Sequence, residues 1–226
     1  MKKHLVFLTG AGMSAESGIS TFRDSNGLWE NHAIEDVATP EGFMKNPNLV
    51  LEFYNARRKQ LFDVEPNVGH QLIAELQQEY KVSVVTQNVD DLHERAGSSE
   101  VLHLHGELRK VRSTAYPNLV YDWKKDLNLG DKCERDAQLR PHIVWFGEAV
   151  PMMKKAIDLV SRGDVIIVIG TSLQVYPAAG LMDYARVDCQ VFYIDPKPSI
   201  QSSERVEVIP NIASDGMKEF IKKHLK

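Results

Sequence analysis

Two histidines in residues 103–107, whose sequence is HLHGE, are the first candidates for chemistry. Histidine is a common general base near neutral pH because its unperturbed pKa is close to 6.5. If these residues form a strand, His103 and His105 share one face while Leu104 points away. A packed, hydrogen-bonded histidine is the structural alternative. A metal ligand is also conceivable, but no further ligand with typical metal-site spacing is evident, so we rank a general base above it.

A polar segment, residues 86–93 (TQNVDDLH), directly follows a short β-branched run. Gln87, Asn88 and Asp90 together offer amide donors, amide acceptors and a carboxylate. This combination suits a carboxamide such as nicotinamide, which needs both a donor and an acceptor. The alternative is a polar loop in which Asp90 or Asp91 caps the next helix. A position at the end of a predicted strand favours ligand binding.

A glycine-rich segment, residues 9–19 (TGAGMSAESGI), follows the first apolar run. We expect Gly10 and Gly12 to permit a tight turn and a close approach to a pyrophosphate, with the amides of a following helix facing its charge. Ser14 and Ser17 add hydroxyl donors. Because Gly18 falls too late for the G-x-G-x-x-G pattern, an ordinary tight turn is the alternative.

Three further segments contain residue types suited to ligand contacts. Residues 140–148 (RPHIVWFGE) place an aromatic pair before a glycine, and an extended peptide could pair with this edge; core aromatics before a turn are the alternative. Residues 170–173 (GTSL) form a small-residue loop suited to phosphate or ribose. Asp195 ends a fourth apolar run, where a carboxylate can accept ribose hydroxyls.

Four apolar runs are expected to position these residues as buried parallel strands, and helical patterns lie between them. The runs cover residues 4–9, 81–86, 164–170 and 190–195, and the helical patterns cover residues 68–79, 152–161, 177–186 and 215–225. This alternation predicts an α/β fold with a doubly wound, mostly parallel, Rossmann-like sheet.

Two stretches depart from the alternation and predict a smaller subdomain. Residues 31–64 read as helical without a clear strand, and residues 108–138 read as polar, irregular and charged. We expect one domain, residues 1–226, with its core in residues 1–30, 65–107 and 139–226. The ligand cleft should lie between the sheet and the two insertions.

The composition is that of a globular protein able to bury a sizeable core, with 226 residues, 43% hydrophobic and 26% charged. A formal net charge of −4 gives no reason to expect nucleic-acid or membrane partners. Cys133 and Cys189 cannot build a disulfide framework. No run reaches the ~20 apolar residues of a membrane helix, and the first run is too short for a signal peptide. We expect a cytoplasmic protein.

Five segments together resemble the sirtuin family of NAD-dependent protein deacylases, over nearly the whole chain. They are GAGMSAESGISTFRD, TQNVDDLH, LHGE, RPHIVWFGE and GTSLQVYPAA. The resemblance implies that the amide oxygen of an acylated protein lysine attacks the nicotinamide ribose of NAD and that nicotinamide leaves. His105 then activates a ribose hydroxyl, which attacks the alkylimidate carbon, and water completes the release of free lysine and O-acyl-ADP-ribose. Catalysis is assigned in this way to His105 and Asn88.

The resemblance also implies two sets of binding residues. NAD is expected to contact Gly10, Ala11, Gly12, Ser14, Glu16, Phe22, Arg23, Trp29, Gln87, Asn88, Asp90, His105, Gly170, Thr171, Ser172, Asp195 and Ala213. The substrate is expected to contact Tyr54, Arg57, Val144, Phe146, Gly147, Glu148 and Val175. The family more often has asparagine at the position of Asp195, which leaves the contact of Asp195 less defined.

Residues 53–58 (FYNARR) place Tyr54 and Arg57 three positions apart, hence on one face of a helix. A phenol beside a guanidinium forms a carboxylate receptor. The pair resembles the Tyr-x-x-Arg signature of sirtuins that remove succinyl or malonyl groups. A core tyrosine beside a solvated arginine is the alternative.

The second insertion departs from the family pattern. Sirtuins usually carry two cysteine pairs around a structural zinc, but Ser113 and Tyr116 stand where the first pair belongs, and only Cys133 remains of the second. Tetrahedral zinc needs four ligands. We predict no zinc or other metal, with the insertion held by packing of Tyr116, Tyr121 and Trp123.

Two other functions were weighed against deacylation. Protein mono-ADP-ribosyl transfer would use the same NAD site, but the peptide edge and the Tyr54/Arg57 pair favour deacylation. A catalytically inactive NAD-sensing module would not need both His105 and Asn88.

Overall fold

The computed structural model describes residues 2–20, 28–29 and 31–225. Its strands are β1 (His4–Thr9), β2 (Leu28–Trp29), β3 (His32–Ala33), β4 (Lys81–Thr86), β5 (Val101–His103), β6 (Gly106–Ser113), β7 (Val120–Asp122), β8 (Leu139–Ile143), β9 (Val165–Ile169), β10 (Gln190–Ile194) and β11 (Val206–Ile209). Its α-helices are α1 (Ile34–Val37), α2 (Pro40–Lys45), α3 (Pro47–Asp63), α4 (Val68–Glu75), α5 (Leu92–Arg95), α6 (Met153–Ser161) and α7 (Ala213–Phe220).

The large sheet is parallel throughout and has the order β11-β10-β9-β1-β4-β5. The chain runs from β1 outward to β5 on one side and then returns to β9 on the other. The strand order therefore reverses between β1 and β9, and ligands of such sheets bind at the carboxyl ends of the strands at this reversal. The predicted doubly wound α/β fold is confirmed.

Both faces of the large sheet are covered, which explains why its central strands are apolar along their whole length. On one face, Leu5 and Phe7 of β1 pack in a cluster with residues of α4 and α7. On the other face, Val6 and Leu8 pack with residues of α6 and of the 3-10 helix Ala178–Tyr184. Every residue of β1 and of β9 is buried.

The predicted strands over residues 4–9 and 81–86 coincide with β1 and β4, whereas β9 and β10 are slightly shorter than predicted. Two predictions of helix are wrong in part. The glycine-rich segment leads into two 3-10 turns, Ala11–Met13 and Ala15–Ser17, rather than an α-helix. The stretch predicted as a helix over residues 177–186 is a 3-10 helix.

The prediction that residues 108–138 are irregular is wrong in part. It fails only for the first part of this region, because β6 and β7 pair antiparallel within it and β6 also pairs with β8 just beyond it, in the order β7-β6-β8. Residues 123–138, all of them described, have no strand and only an isolated bridge between Lys132 and Gln138. The other insertion is helical as predicted, with α1, α2 and α3, but it also contains β3, which pairs with β2. No helix within the described residues is long and apolar enough to cross a membrane.

The small sheet has its own apolar core, formed mainly by aliphatic residues. Its buried members are Leu51, Val111, Leu127, Cys133 and Leu139. Tyr121 and Trp123 pack against this cluster as predicted, but the predicted packing of Tyr116 is wrong. Tyr116 is 38% exposed, and the Arg135 guanidinium lies 4.8 Å from its ring centroid.

Hydrogen bonds join Ser113, Tyr116 and Cys133, the positions where the sequence resemblance implies that a zinc site is missing. The Cys133 thiol donates to the Ser113 hydroxyl across 3.4 Å, and the Tyr116 backbone N–H donates to the same oxygen across 3.2 Å. Ser113 and Cys133 are both buried. The hydrogen bond between Cys133 and Ser113 therefore links the turn at Cys133 to the end of β6.

Candidate active site

Three adjacent strands of the large sheet, β4, β1 and β9, end at a common polar edge. The loops that follow them are the 3-10 turns after Thr9, residues 87–91 and residues 170–173. The glycines at this edge serve close packing. A Cβ on Gly10 would lie 2.7 Å from the Thr171 Cβ, and one on Gly12 would lie 2.7 Å from the Gly170 Cα. The predicted reasons for these glycines, a tight turn and a close approach to a pyrophosphate, did not include this packing, and Gly10 itself is extended.

Ser14, Asn88 and Asp90 form one hydrogen-bonded group at this edge. The Asn88 side-chain amide donates to the Ser14 hydroxyl across 3.0 Å, and that hydroxyl donates to the Asp90 carboxylate across 2.9 Å. All three residues are buried. Burial raises the pKa of Asp90 above its ordinary value, although the Leu92 N–H and the Ser14 hydroxyl oppose this shift. The group fixes an amide and a carboxyl next to the glycine-rich turn.

His105 has the geometry of a general base. Its Nδ1 lies 3.1 Å from the Gln87 carbonyl, and because a carbonyl can only accept, Nδ1 carries the proton and Nε2 is left basic. Nε2 has no protein partner in the described part of the chain, and the residue is partly exposed. Burial lowers the pKa of His105, so the ring is neutral at pH 7.

His103 lies on the same strand run but is a poorer base. Its Nδ1 donates to the Asn88 carbonyl across 2.9 Å, and its Nε2 lies 2.7 Å from the Glu94 carboxylate. Burial alone would lower the pKa of His103, but the hydrogen bond and charge of Glu94 outweigh it and raise the pKa. With both nitrogens engaged, His103 orients the loop after β4 and leaves the base role to His105.

A third potential metal ligand near the two histidines was not evident in the sequence, but the structure provides it. Ligand atoms of Glu94, His103 and Glu107 lie within 4.8 Å of one another. The His103 nitrogen that could bind an ion is already paired with Glu94, and Lys110 neutralises Glu107 across 2.8 Å. Ion pairs therefore account for why the side chains of Glu94, His103 and Glu107 lie close together.

The remaining residues predicted to contact NAD lie around the same edge. Gln87 donates to the Thr171 hydroxyl across 3.0 Å. The Glu16 carboxylate accepts from the backbone N–H and hydroxyl of Ser214, which ties the glycine-rich turn to the start of α7 at Ala213. Asp195 is buried just after β10, and its carboxylate accepts from the Lys197 N–H. Ala11, Ser172 and Gly170 lie in the loops at the reversal point.

A cleft lies between the polar edge and α3. It is lined by Ile19, Trp29, Arg57, Gln60, Leu61, Val89, Asp90 and Leu108. Arg57 from the helical insertion and Asp90 from the polar edge thus face one cavity, as the predicted position of the cleft requires. Phe22 and Arg23, predicted to cover NAD, lie outside the described residues.

Tyr54 is placed differently from Arg57. Its side chain is fully buried, and its hydroxyl oxygen accepts a hydrogen bond of 3.0 Å from the Trp145 indole N–H. Its ring makes an edge contact with Trp29, a residue of the cleft, at a centroid distance of 5.9 Å. Among the described residues that line the cleft, Arg57 is present and Tyr54 is not.

Of the segment predicted to pair with a substrate peptide, residues 140–143 belong to β8 and residues 146–147 form a turn. The backbone N–H groups of Val144, Phe146 and Glu148 donate to the carbonyls of His105, Ala38 and Trp145. Gly147 has a φ of +87°, and a Cβ there would meet nothing within 4 Å, so its backbone conformation is the reason for glycine. Phe146 and Val175 are exposed. The exposed backbone at Gly147 is therefore the open part of this segment.

Three residues that organise the site were not among the predicted site residues. Arg112 and Arg140 both bind the Glu148 carboxylate, at 3.0 Å and 2.7 Å, and that carboxylate also accepts from the Trp145 N–H. Asn67 donates to the Met13 carbonyl and so holds the glycine-rich turn. Asn67 also caps α4, because its side-chain oxygen accepts from the backbone N–H groups of Gly69 and His70, whereas its contact with Met13 spans 54 residues of sequence.

Comparison with known proteins identifies relatives over the full length of the chain. A family model described as the Sir2 family matches residues 10–177. An NAD-dependent protein deacylase of Helicobacter pylori is 58% identical, covering 98% of this chain and 97% of that protein. One of Bacteroides thetaiotaomicron is 54% identical, covering 96% of each chain. A third, of Escherichia coli O157:H7, is 47% identical, covering 100% of this chain and 85% of that protein.

Solved structures of similar fold include ligand complexes. The crystal structure of a Sir2 homologue–NAD complex has a TM-score of 0.85 at 40% identity, covering 98% of this chain and 89% of that chain. A Sir2 histidine variant with a deacetylated p53 peptide and 3'-O-acetyl ADP ribose has a TM-score of 0.81 at 29% identity, covering 99% and 94%.

Proposed function

The chain belongs to the Sir2 family, and we propose that it removes succinyl and malonyl groups, as well as acetyl groups, from protein lysines. It is an NAD-dependent protein deacylase. The observation that carries the acyl-group proposal is the position of Arg57, which faces the same cleft as Asp90 of the polar edge. A succinyl or malonyl group that enters this cleft would bring its terminal carboxylate towards the Arg57 guanidinium. The names of the relatives favour deacylation over mono-ADP-ribosyl transfer.

The donor set at the polar edge fits NAD. Hydroxyls of Ser14 and Thr171, amides of Gln87 and Asn88 and an imidazole converge at the strand-order reversal, where dinucleotides bind in such sheets. Gly10, Gly12, Gly170 and Asp195 would hold the phosphate and adenosine part, and Asn88 and Asp90 the nicotinamide part. Bound NAD would supply an electrophilic ribose carbon and a hydroxyl acceptor for the acyl group, so that acyl-lysine, NAD and water give free lysine, nicotinamide and O-acyl-ADP-ribose.

His105 acts as the general base of this reaction. Its Nε2 takes the proton from the ribose hydroxyl, and the Gln87 carbonyl stabilises the imidazolium that results, because Nδ1 already donates to it. The lowered pKa of His105 keeps Nε2 unprotonated at pH 7 before the reaction. Since both nitrogens of His103 are engaged, His105 is the histidine at this edge that is able to accept the proton.

The Ser14–Asn88–Asp90 group positions the leaving carboxamide. Its hydrogen bonds are internal and buried, so the amide and carboxyl keep their orientation without reorganising when a ligand arrives. We propose that residues 1–30, 65–107 and 139–226 hold NAD and that insertions 31–64 and 108–138 form the acyl side of the cleft. Arg57 and Leu108, which line the cleft opposite Asp90, support this division.

The substrate is a protein, and we infer that an acylated lysine is the group it presents. The peptide backbone lies against Gly147 and Val175, where the chain is exposed. We further infer a cytoplasmic enzyme without nucleic-acid or membrane partners. The formal charge of −4 and two free, buried cysteines support this inference.

Turnover of lysine peptides that differ in their acyl group tests the proposal. Acetyl-, malonyl- and succinyl-lysine versions of one peptide are incubated with and without NAD, and nicotinamide and deacylated peptide are quantified by mass spectrometry. We expect all three to be deacylated only with NAD. Absence of succinyl and malonyl turnover while acetyl turnover proceeds would overturn the proposed acyl range.

The variant Arg57→Met tests the residue that carries the proposal. Loss of charge-assisted hydrogen bonds to a carboxylate is expected to lower the ratio of desuccinylation to deacetylation, each as kcat/KM, by about 100-fold. Lys59→Met is the matched control, because Lys59 is an exposed cation on the same helix, and it should leave the ratio unchanged. An equal loss of both activities in Arg57→Met would contradict carboxylate recognition by Arg57.

A further inference from the structure

The loop after β4 is held through four successive backbone carbonyls, those of residues 86–89. The first and the last of these carbonyls accept hydrogen bonds from backbone N–H groups of the neighbouring segment. The two in the middle are bound by ring nitrogens instead. The Gln87 carbonyl lies 3.1 Å from Nδ1 of His105, and the Asn88 carbonyl lies 2.9 Å from Nδ1 of His103. Two imidazoles therefore hold the part of the loop that carries the amide side chains of the polar edge.

His103 differs from His105 in that it also contacts the helix after this loop. Its Nε2 lies 2.7 Å from the Glu94 carboxylate on α5. Burial would raise the pKa of Glu94, but the hydrogen bond and charge of His103 outweigh it and lower the pKa, so the carboxylate is ionised at pH 7. A carbonyl and an ionised carboxylate can only accept, so both nitrogens of His103 carry a proton and the ring is an imidazolium.

The two bonds of this imidazolium differ in their exposure to water. The Glu94 side chain is 39% exposed, so water can solvate its carboxylate if the ring is removed. Asn88 is 8% exposed, so its carbonyl would have little access to water without the ring. The same residue donates its backbone N–H to the Thr86 hydroxyl across 3.0 Å and its side-chain amide to the Ser14 hydroxyl across 3.0 Å. The bond from His103 therefore fixes the peptide group from which the Asn88 side chain projects.

We propose that His103 is a positioning residue for the nicotinamide end of NAD, which rests on the proposed placement of nicotinamide at Asn88 and Asp90. The imidazolium sets the tilt of the peptide group after Asn88, and so the direction in which the Asn88 amide and the Asp90 carboxyl face the carboxamide. His103 does not touch NAD and takes no proton from it. The two histidines thus serve different steps, because His103 supports the departure of nicotinamide and His105 acts on the ribose hydroxyl afterwards.

Two amide variants separate the two nitrogens of the ring. In His103→Asn the side-chain NH2 lies near the position of Nδ1 and can still donate to the Asn88 carbonyl, whereas in His103→Gln it lies near Nε2 and reaches Glu94 instead. With an acetyl-lysine peptide, we expect His103→Gln to raise the KM for NAD and the inhibition constant of nicotinamide about 10-fold each, the loss of one hydrogen bond from a charged donor. The KM for the peptide should not change. His103→Asn should restore both constants to within about 2-fold of the wild type.

Exchange of labelled nicotinamide into NAD isolates the step that His103 is proposed to support. His103→Gln should slow this exchange about 10-fold at low nicotinamide concentration. His105→Ala should retain exchange while deacetylation is lost, because the base acts after nicotinamide has left. His224→Gln is the matched control, because His224 also lies beside a carboxylate, that of Glu207 on β11 at 3.2 Å, outside the polar edge. It should leave the exchange rate unchanged.

The comparison of the two amide variants decides whether His103 positions the loop or merely fills space. Equal changes in His103→Gln and His103→Asn would overturn the proposal, and so would an unchanged inhibition constant of nicotinamide in His103→Gln. Asn88→Ala distinguishes this failure from a failure of the proposed site. If Asn88→Ala weakens inhibition by nicotinamide and His103→Gln does not, only the role of His103 fails. If neither weakens it, the placement of nicotinamide at Asn88 fails as well.

Discussion

The polar edge of the large sheet and the cleft beside α3 face each other but are built differently. At the polar edge, side chains from neighbouring strand ends bond to one another, as in the Asn88–Ser14–Asp90 group. In the cleft, Arg57 comes from a helical insertion. On the same helix, the buried Tyr54 hydroxyl accepts from the indole of Trp145, 91 residues away in sequence.

This difference separates the chemistry from the choice of substrate. Groups at the polar edge bind the parts that every acylated substrate shares, so their loss should affect all acyl groups alike. Groups on the acyl side meet only the end of the acyl chain, so their loss should affect one class of substrate. The predictions below are ordered by the size of the effect.

Replacement of His105 should have the largest effect. His105→Ala removes the base and should lower kcat by about 10²- to 10⁴-fold for acetyl, malonyl and succinyl peptides alike. NAD binding, followed by titration calorimetry, should persist because the Ser14–Asn88–Asp90 group does not depend on the ring. Loss of activity towards one acyl group alone would contradict the separate roles assigned to the polar edge and the cleft.

The pH dependence of deacetylation should show the titration of His105. Burial lowers the pKa of this base below 6.5, and the base must be neutral, so activity is retained below pH 6.5 and falls only as the pH passes its lowered pKa. Below that pKa, kcat/KM should decrease about tenfold per pH unit. The acetyl peptide is used because it does not titrate itself. An acidic limb well above pH 6.5 would contradict this assignment.

Shortening a buried side chain in the core of the small sheet should lower stability and leave the ratio of desuccinylation to deacetylation unchanged. Leu127→Ala removes a fully buried side chain of this core and should lower the free energy of unfolding by about 2–5 kcal/mol, measured by denaturant titration. Leu129→Ala is the control, because Leu129 is 49% exposed, and its effect should stay within about 0.5 kcal/mol. A changed ratio of desuccinylation to deacetylation in Leu127→Ala would show that the small sheet takes part in acyl selection.

Metal removal should have the smallest effect. The second insertion, where the sequence resemblance implies a missing zinc site, has a single cysteine, Cys133, bonded to Ser113. Treatment with a chelator should therefore leave both the melting temperature and deacetylation unchanged. Elemental analysis that finds one zinc per chain, lost together with stability on chelation, would refute the prediction of a metal-free subdomain.

The sequence was most informative where a strand is buried on both faces. Strands β1 and β4 could be predicted to the residue because continuous apolar runs mark the centre of a covered sheet. Strands β5 and β11 were missed, because their residues are mostly half-buried and give weaker runs. Strand β6 was missed because half-buried charged residues, Glu107, Arg109, Lys110 and Arg112, interrupt its buried ones.

The candidate site divides in the same way. Gln87, Asn88, Asp90 and His105 follow strand ends, so the parallel sheet brings them together once its strands are predicted. The contact of Tyr54 with Trp145, the binding of Glu148 by two arginines and the close packing of Gly12 on Gly170 could not be predicted. These contacts depend on how separate elements pack, which a single sequence does not specify.

Competition between two substrates tests the central claim most directly. Equal concentrations of acetyl- and succinyl-lysine peptide are mixed with NAD and either the wild-type enzyme or Arg57→Met, and the initial ratio of the two products is measured by mass spectrometry. The ratio reports relative kcat/KM independently of how much enzyme is active. We predict a product ratio that shifts about 100-fold towards the deacetylated peptide in Arg57→Met. The same ratio in both enzymes would contradict a separate acyl-selecting region.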